Sequence, residues 1–175
     1  SLRNVEFRLE ERTYKLRNLN TQLYGEISLH EQTESKLLSV ERYLSSIINS
    51  MPSVLVSVNR AGAIRHWNTS AERATDLTAQ EVAGKLLWDV YPKLPITPDM
   101  IVEAISSGVP KVMESTKLDN QGSNYFTDIT IYPLIDDTTE EAVIRIDDVT
   151  LRVMLENMMV QNEKMLSLGQ LAAGM

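Results

Sequence analysis

The sequence predicts an α+β domain, a five-stranded antiparallel sheet with short helices, held between two long helices. Three observations predict it. All six prolines lie between Pro52 and Pro133, and proline interrupts long helices, so both flanks read as unbroken helix. Each flank repeats apolar residues at the 3-4 spacing of a coiled coil. Between them the pattern runs β, β, several short helices, then three β segments in succession, the order of an α+β domain. The expected division is a coiled-coil helix over 1–47, a folded domain over 48–150 and an output helix over 151–175.

The first helix is read from its seam. Positions spaced 3-4-3-4 from Leu2 pass through Val5, Leu9, Leu16, Leu19, Leu23, Leu37, Val40, Leu44 and Ile47. Such a helix would be roughly 70 Å long at 1.5 Å per residue. Its stripe is far longer than a domain of this size can cover, so a second copy of the chain in a parallel homodimer is the expected partner. Arg12, and then Glu26, His30 and Thr33 in succession, interrupt the seam, the latter three just past Gly25. They read as a solvated defect or a local change of register. In a parallel dimer the two copies of His30 would face each other, and protonation would add repulsion there.

The middle follows element by element. Ser53–Asn59 alternates Val54, Val56 and Val58 onto one strand face, Arg60-Ala61-Gly62 makes a turn, and Ala63–Asn68 is the second strand. Thr69-x-x-Glu72 and Thr78-x-x-Glu81 both read as capping boxes opening short helices. Gly84, Pro92, Pro95 and Pro98 break the next stretch. Pro98–Ser107 forms a helix with Met100, Ile101, Ala104 and Ile105 inward, closed by Gly108. The strands Lys111–Leu118, Tyr125–Pro133 and Ala142–Asp147 follow, joined by an Asn120-Gln121-Gly122 turn and an acidic loop over 136–141. The last helix carries a soft, methionine-rich seam through Met154, Met158, Gln161, Met165, Leu168, Ala172 and Met175.

Composition excludes several functions. The net charge is −7, and all of the excess lies in 49–150, with 8 basic against 15 acidic residues. A phosphate-binding surface needs the opposite sign, so nucleic acid is not an expected partner. With no cysteine and only two histidines, disulfides, thiol nucleophiles, flavin–cysteinyl adducts and multi-histidine metal sites fall away. No apolar run approaches the ~18 residues of a membrane span. The chain starts at Ser1 and stops within a helical pattern, so a longer protein is expected.

Ser46–Lys85 resembles the opening of a PAS domain as found in bacterial sensor histidine kinases. The pieces are Ile47-Ile48-Asn49-Ser50-Met51-Pro52, the turn at Gly62, Trp67-Asn68-x-x-Ala71-Glu72 and Leu77-Thr78-x-x-Glu81-Val82-x-Gly84-Lys85. Asp148-Val149-Thr150-x-Arg152 resembles the family's Asp-x-Thr junction, where the last strand passes into an output helix. The run from Lys164 to Met175 resembles the start of a histidine kinase's dimerisation and phosphoacceptor helix, ending just before the Ala-His-Glu that carries the phosphorylated histidine. The resemblance implies a signal-transmitting module of a two-component kinase. It also implies a cytoplasmic location, as a free protein or as part of a membrane-anchored one. This stretch itself is expected to lack kinase activity, catalytic residues and metal. ATP, Mg²⁺ and the response regulator would belong to the absent kinase core.

Residues able to line a PAS ligand cavity are Trp88, Tyr91, Met100, Ile105, Met113 and Ile131, all equally suited to plain core. The ligand is unknown, and a non-covalent flavin is one alternative. His66 reads as a surface or interface residue. Asp128 and Arg145, on adjacent strands, are expected to form a cross-strand ion pair. Thr150 is the expected N-cap of a helix starting at Leu151. Asp148, Thr150 and Arg152 together form the candidate signal junction, with the cap paired to Arg152. Two other readings stay open, a ligand- or flavin-binding sensor and a structural coiled-coil spacer.

Overall fold

The computed structural model describes residues 2–120, 123–136 and 138–174, with the backbone alone at 120, 123 and 124. Gln121 and Gly122 of the expected turn, Asp137 of the acidic loop and Met175 of the last seam lie outside the described residues. The chain divides into two compact units, 1–47 and 48–175. Helix α1 (Leu2–Ser50), whose last three residues belong to the second unit, runs without a break through Gly25 and buries none of its residues. The seam residues Leu9, Leu16, Leu19, Leu23, Leu37, Val40 and Leu44 are all exposed, and Ile47 is half-buried. Thr13, Thr21 and Thr33 donate their hydroxyls to the carbonyls four residues back, so these polar side chains cost the helix no backbone bond.

The second unit holds the sheet. Strands β1 (Val54–Asn59), β2 (Ile64–Trp67), β3 (Lys111–Asn120), β4 (Ser123–Ile135) and β5 (Glu140–Asp148) pair antiparallel in the order β2-β1-β5-β4-β3. All five predicted strands are present, and the last three extend beyond their predicted ends. Val56 and Val58 are buried and Val54 half-buried, as their alternation requires. On the same face Ile129, Ile131, Ile144 and Ile146 line the core, with Ile129 opposite Ile146 and Ile131 opposite Ile144.

Helices α2 (Thr69–Thr75), α3 (Ala79–Val82), α4 (Leu87–Val90) and α5 (Pro98–Ser107) join β2 to β3, and α6 (Thr150–Ala173) follows β5. The capping box at Thr78 and Glu81 forms in full. Its carboxylate lies below the ordinary glutamate range, because the Thr78 amide and then the Thr78 hydroxyl donate to it. The expected box at Thr69 does not form. Thr69 is already helical, Asn68 is the N-cap, and Glu72 accepts instead from the Ala79 amide. Helix α5 buries Ile101, Ala104 and Ile105, leaves Met100 half-buried, and closes on Gly108 in the left-handed region (φ 68°). At the β1–β2 turn Gly62 has φ 83°, and the Trp88 ring lies where a Cβ would stand, 2.0 Å from Cη2. Only glycine admits both that backbone and that contact.

Candidate functional site at the two helix junctions

Antiparallel pairing places the start of β1 beside the end of β5, and the pairing of Thr127 with Asp148 brings β4 to the same end. The last turn of α1 and the first turn of α6 therefore attach to one end of the sheet.

The C-terminal junction is polar and partly exposed. Asp148 accepts the Thr150 amide at 2.9 Å, so it supplies the capping oxygen expected from Thr150. Thr150 is itself the first helical residue. Its hydroxyl accepts the Phe126 amide at 2.9 Å, and the Val149 amide donates to the Phe126 carbonyl at 2.9 Å. Thr150 thus pins the helix start to β4. Arg152 pairs with Asp128, not with the cap: its Nη2 reaches both carboxylate oxygens, at 3.0 and 3.2 Å. Asp128 also accepts the Ser115 amide at 2.8 Å. Ser115 sits at φ 48° in the bulge of β3 between Met113 and Thr116. The Ser115 amide holds the Asp128 carboxyl below the ordinary aspartate range; partial burial opposes this, and the Arg152 bond and charge add to it.

The expected Asp128–Arg145 pair is not formed. Asp128 stands opposite Asp147, and Arg145 opposite Thr130. Arg145 binds Asp147 at 2.8 Å through Nε and lies 5.9 Å from the Tyr132 ring centroid. The register is fixed by the isoleucines on the other face, and charge has little weight against that burial.

The N-terminal junction rests on a residue whose role the sequence reading missed. Asn68 is 2% exposed. Its Oδ1 accepts the amides of Leu55 and Ala71, each at 3.0 Å. Its Nδ2 donates to the Ile48 carbonyl at 3.2 Å and the Ser53 carbonyl at 2.9 Å. One side chain therefore joins the end of α1, the start of β1 and the start of α2, with every donor hydrogen and acceptor direction used. Beside it Asn49 accepts the Thr69 amide at 3.2 Å, and Ser70 donates to the Met51 carbonyl at 2.8 Å. The signal was available, since asparagine is a favoured N-cap and Ala71 lies three residues on.

The six cavity candidates do gather on one side of the sheet. Ile105 and Ile131 are buried in the core cluster, and Trp88, Tyr91, Met100 and Met113 pack against it half-buried. Tyr91 shares a hydrogen bond with Tyr125, and burial first, then that bond, pushes its phenol pKa up. It stays a neutral hydroxyl at physiological pH. His66 is exposed on β2, with Nδ1 2.8 Å from the Ser57 hydroxyl. The C-terminal seam residues Met154, Met158, Met165 and Leu168 are exposed. Among the described residues no group of three or more His, Asp or Glu is placed to hold a metal ion, and no helix is long and apolar enough to cross a membrane.

The family model for the PAS fold matches residues 42–149. Solved structures similar to this chain include the PAS domain of nitrogen regulation protein NR(II) from Vibrio parahaemolyticus, at 16% identity and TM-score 0.51, over 59% of this chain and 95% of that one. The PAS domain of an HTR-like protein from Haloarcula marismortui is similar at 14% identity and TM-score 0.54, over 67% and 98%. The PAS domain of BvgS from Bordetella pertussis matches at 15% identity and TM-score 0.52, over 73% and 98%. No curated protein matches the sequence significantly.

Proposed function

The chain belongs to the PAS-fold family, and from that premise we propose that it is a signal-coupling module of a two-component sensor histidine kinase. In this reading an upstream signal travels along a parallel dimer of α1, passes the PAS domain and leaves through α6. A kinase core beyond residue 175 supplies the phosphoacceptor histidine, binds ATP and Mg²⁺, and meets the response regulator. The module itself does no chemistry and lies in the cytoplasm, free or as part of a membrane-anchored kinase. The observation that carries the reading is the attachment of α6. Its first turn is fastened to β4 and β5 by Thr150, Asp148 and Arg152, so a small displacement of the sheet end becomes a displacement of the helix. A signal shifts such an equilibrium only by its differential affinity for the two arrangements.

The charges of α1 support a parallel second copy. With Leu2 at position a, Arg8, Lys15 and Lys36 all fall at g, and Glu6, Glu34 and Glu41 all fall at e. Parallel, in-register helices set each g against the e five residues on, so Lys36 faces the second copy's Glu41, while Arg8 and Lys15 face Thr13 and Asn20; antiparallel helices set g against g and e against e, where these charges repel.

The test is Thr150→Ala in the full kinase. Autophosphorylation should lose its response to signal while the melting temperature falls by only a few degrees, and Thr150→Ser should restore the response. Unchanged regulation would overturn the reading. A second reading, a ligand sensor, is favoured by the Tyr91–Tyr125 hydroxyl pair among apolar core residues. Native mass spectrometry separates the two. Two chains with no added mass support the coupler, a discrete added mass supports the sensor, and a dominant monomer removes the dimer from either.

A further inference from the structure

We infer that Asn68, Ser53 and Asp147 form a link that makes the last turn of α1 and the first turn of α6 yield together, whatever fills the core. The inference deepens the coupling role proposed above and rests on it.

The link starts at Asn68, whose amide group holds the Ile48 carbonyl of α1 and the Ser53 carbonyl at once. Because Asn68 is buried, any shift that breaks one of its bonds leaves a polar group without water to replace the partner. A displacement of the α1 end therefore reaches Ser53 instead of being absorbed at Asn68. Ser53 lies one residue beyond the rung that pairs Val54 with Ile146, and its hydroxyl donates to Asp147 Oδ1. The other oxygen of Asp147 is held by Arg145 Nε at 2.8 Å, so the carboxylate is oriented from both sides. The next residue, Asp148, caps the first amide of α6. From Ile48 to Thr150 the path passes between the neighbouring strands β1 and β5 at a single point, the Ser53–Asp147 bond. None of its hydrogen bonds involves any of the six cavity candidates. An occupied cavity and a moving α1 are therefore separate inputs to the same helix.

Amide hydrogen exchange followed by NMR on the 1–175 chain tests this. The variants are Ser53→Ala, Asp147→Ala and the double variant, with Lys111→Ala as the control, since it removes the Lys111–Glu103 pair at the far edge of the sheet. Ser53→Ala and Asp147→Ala should each speed exchange by about three- to tenfold, the worth of one hydrogen bond. The effect should appear at the Leu55 and Ala71 amides and also at Val153, the first buried residue of α6. The double variant should add little to Asp147→Ala, because that change already removes the Ser53 bond. The control should leave all three amides unchanged. Acceleration on one side only, additive effects, or a uniform rise across the core would overturn the link. If Val153 does not respond while Thr150→Ala still alters kinase regulation, the link fails and the coupling role stands. If exchange behaves as stated and regulation ignores Thr150→Ala, the coupling role fails and the link is architecture alone.

Discussion

The two junctions solve one problem, fastening a helix to the same end of a sheet, by opposite means. The N-terminal one depends on a buried neutral amide that makes four hydrogen bonds. The C-terminal one depends on an exposed arginine, two aspartates and a threonine hydroxyl. A neutral buried hub is indifferent to salt and pH and expensive to disturb. A partly exposed ion pair is worth little on its own and answers to its surroundings. The contrast teaches where adjustment belongs in this fold: the last turn of α1 is held by a hub that is costly to break, and the first turn of α6 by contacts that are easily tuned.

The largest expected break is at Asn68. Asn68→Ala strands the Leu55 and Ala71 amides and the Ile48 and Ser53 carbonyls, and should cost about 2–4 kcal/mol of stability, read from urea denaturation. Thr150→Ala should cost about 1 kcal/mol, the net worth of one hydrogen bond, with most of it recovered by Thr150→Ser. A cost at Thr150 equal to that at Asn68 would erase the contrast.

Acid sharpens the comparison. A carboxyl whose pKa is depressed on folding stabilises the fold above its unfolded value and loses that contribution as pH falls through the folded one. Asp128 is depressed, so the C-terminal junction should loosen as pH drops below about 4, the ordinary aspartate value. The protection of Val153, corrected for the intrinsic exchange rate at each pH, should fall there, since Asp128 holds Arg152 in the first turn of α6. The smallest effect is expected at Arg152. Arg152→Ala should cost under about 1 kcal/mol, and less in high salt, in paired melts at low and high ionic strength.

Most of the fold was legible because its signals are local. Thr78 and Glu81, Pro98 and Gly108 each mark a helix end within a few residues, and the alternation of Val54, Val56 and Val58 marks a strand face. The junctions were legible only as places. Asp148, Thr150 and Arg152 do converge there, yet their partners Phe126 and Asp128 are more than twenty residues away in sequence. Those pairings follow from the register of β4 on β5. The adjacency of the strands that carry Asp128 and Arg145 is foreseeable from sequence, but the two-residue offset between them is not. Asn68 sat in plain view beside Trp67. Its four partners come from three elements, and no short pattern specifies that meeting.

The placement of the tryptophans has an optical consequence. The chain has two. Trp67 is nearly buried, with its indole donating to the Leu77 carbonyl, and Trp88 lies over Gly62. Neither α1 nor α6 has one, although these two helices hold most of the helical residues. Selectively excited tryptophan fluorescence therefore sees the β2 side of the core alone, while far-ultraviolet circular dichroism is dominated by the flanks. During denaturation the two signals watch different molecules in effect. Their midpoints coincide only if core and helices melt as one body, so any gap between the curves measures how independently the helices come apart.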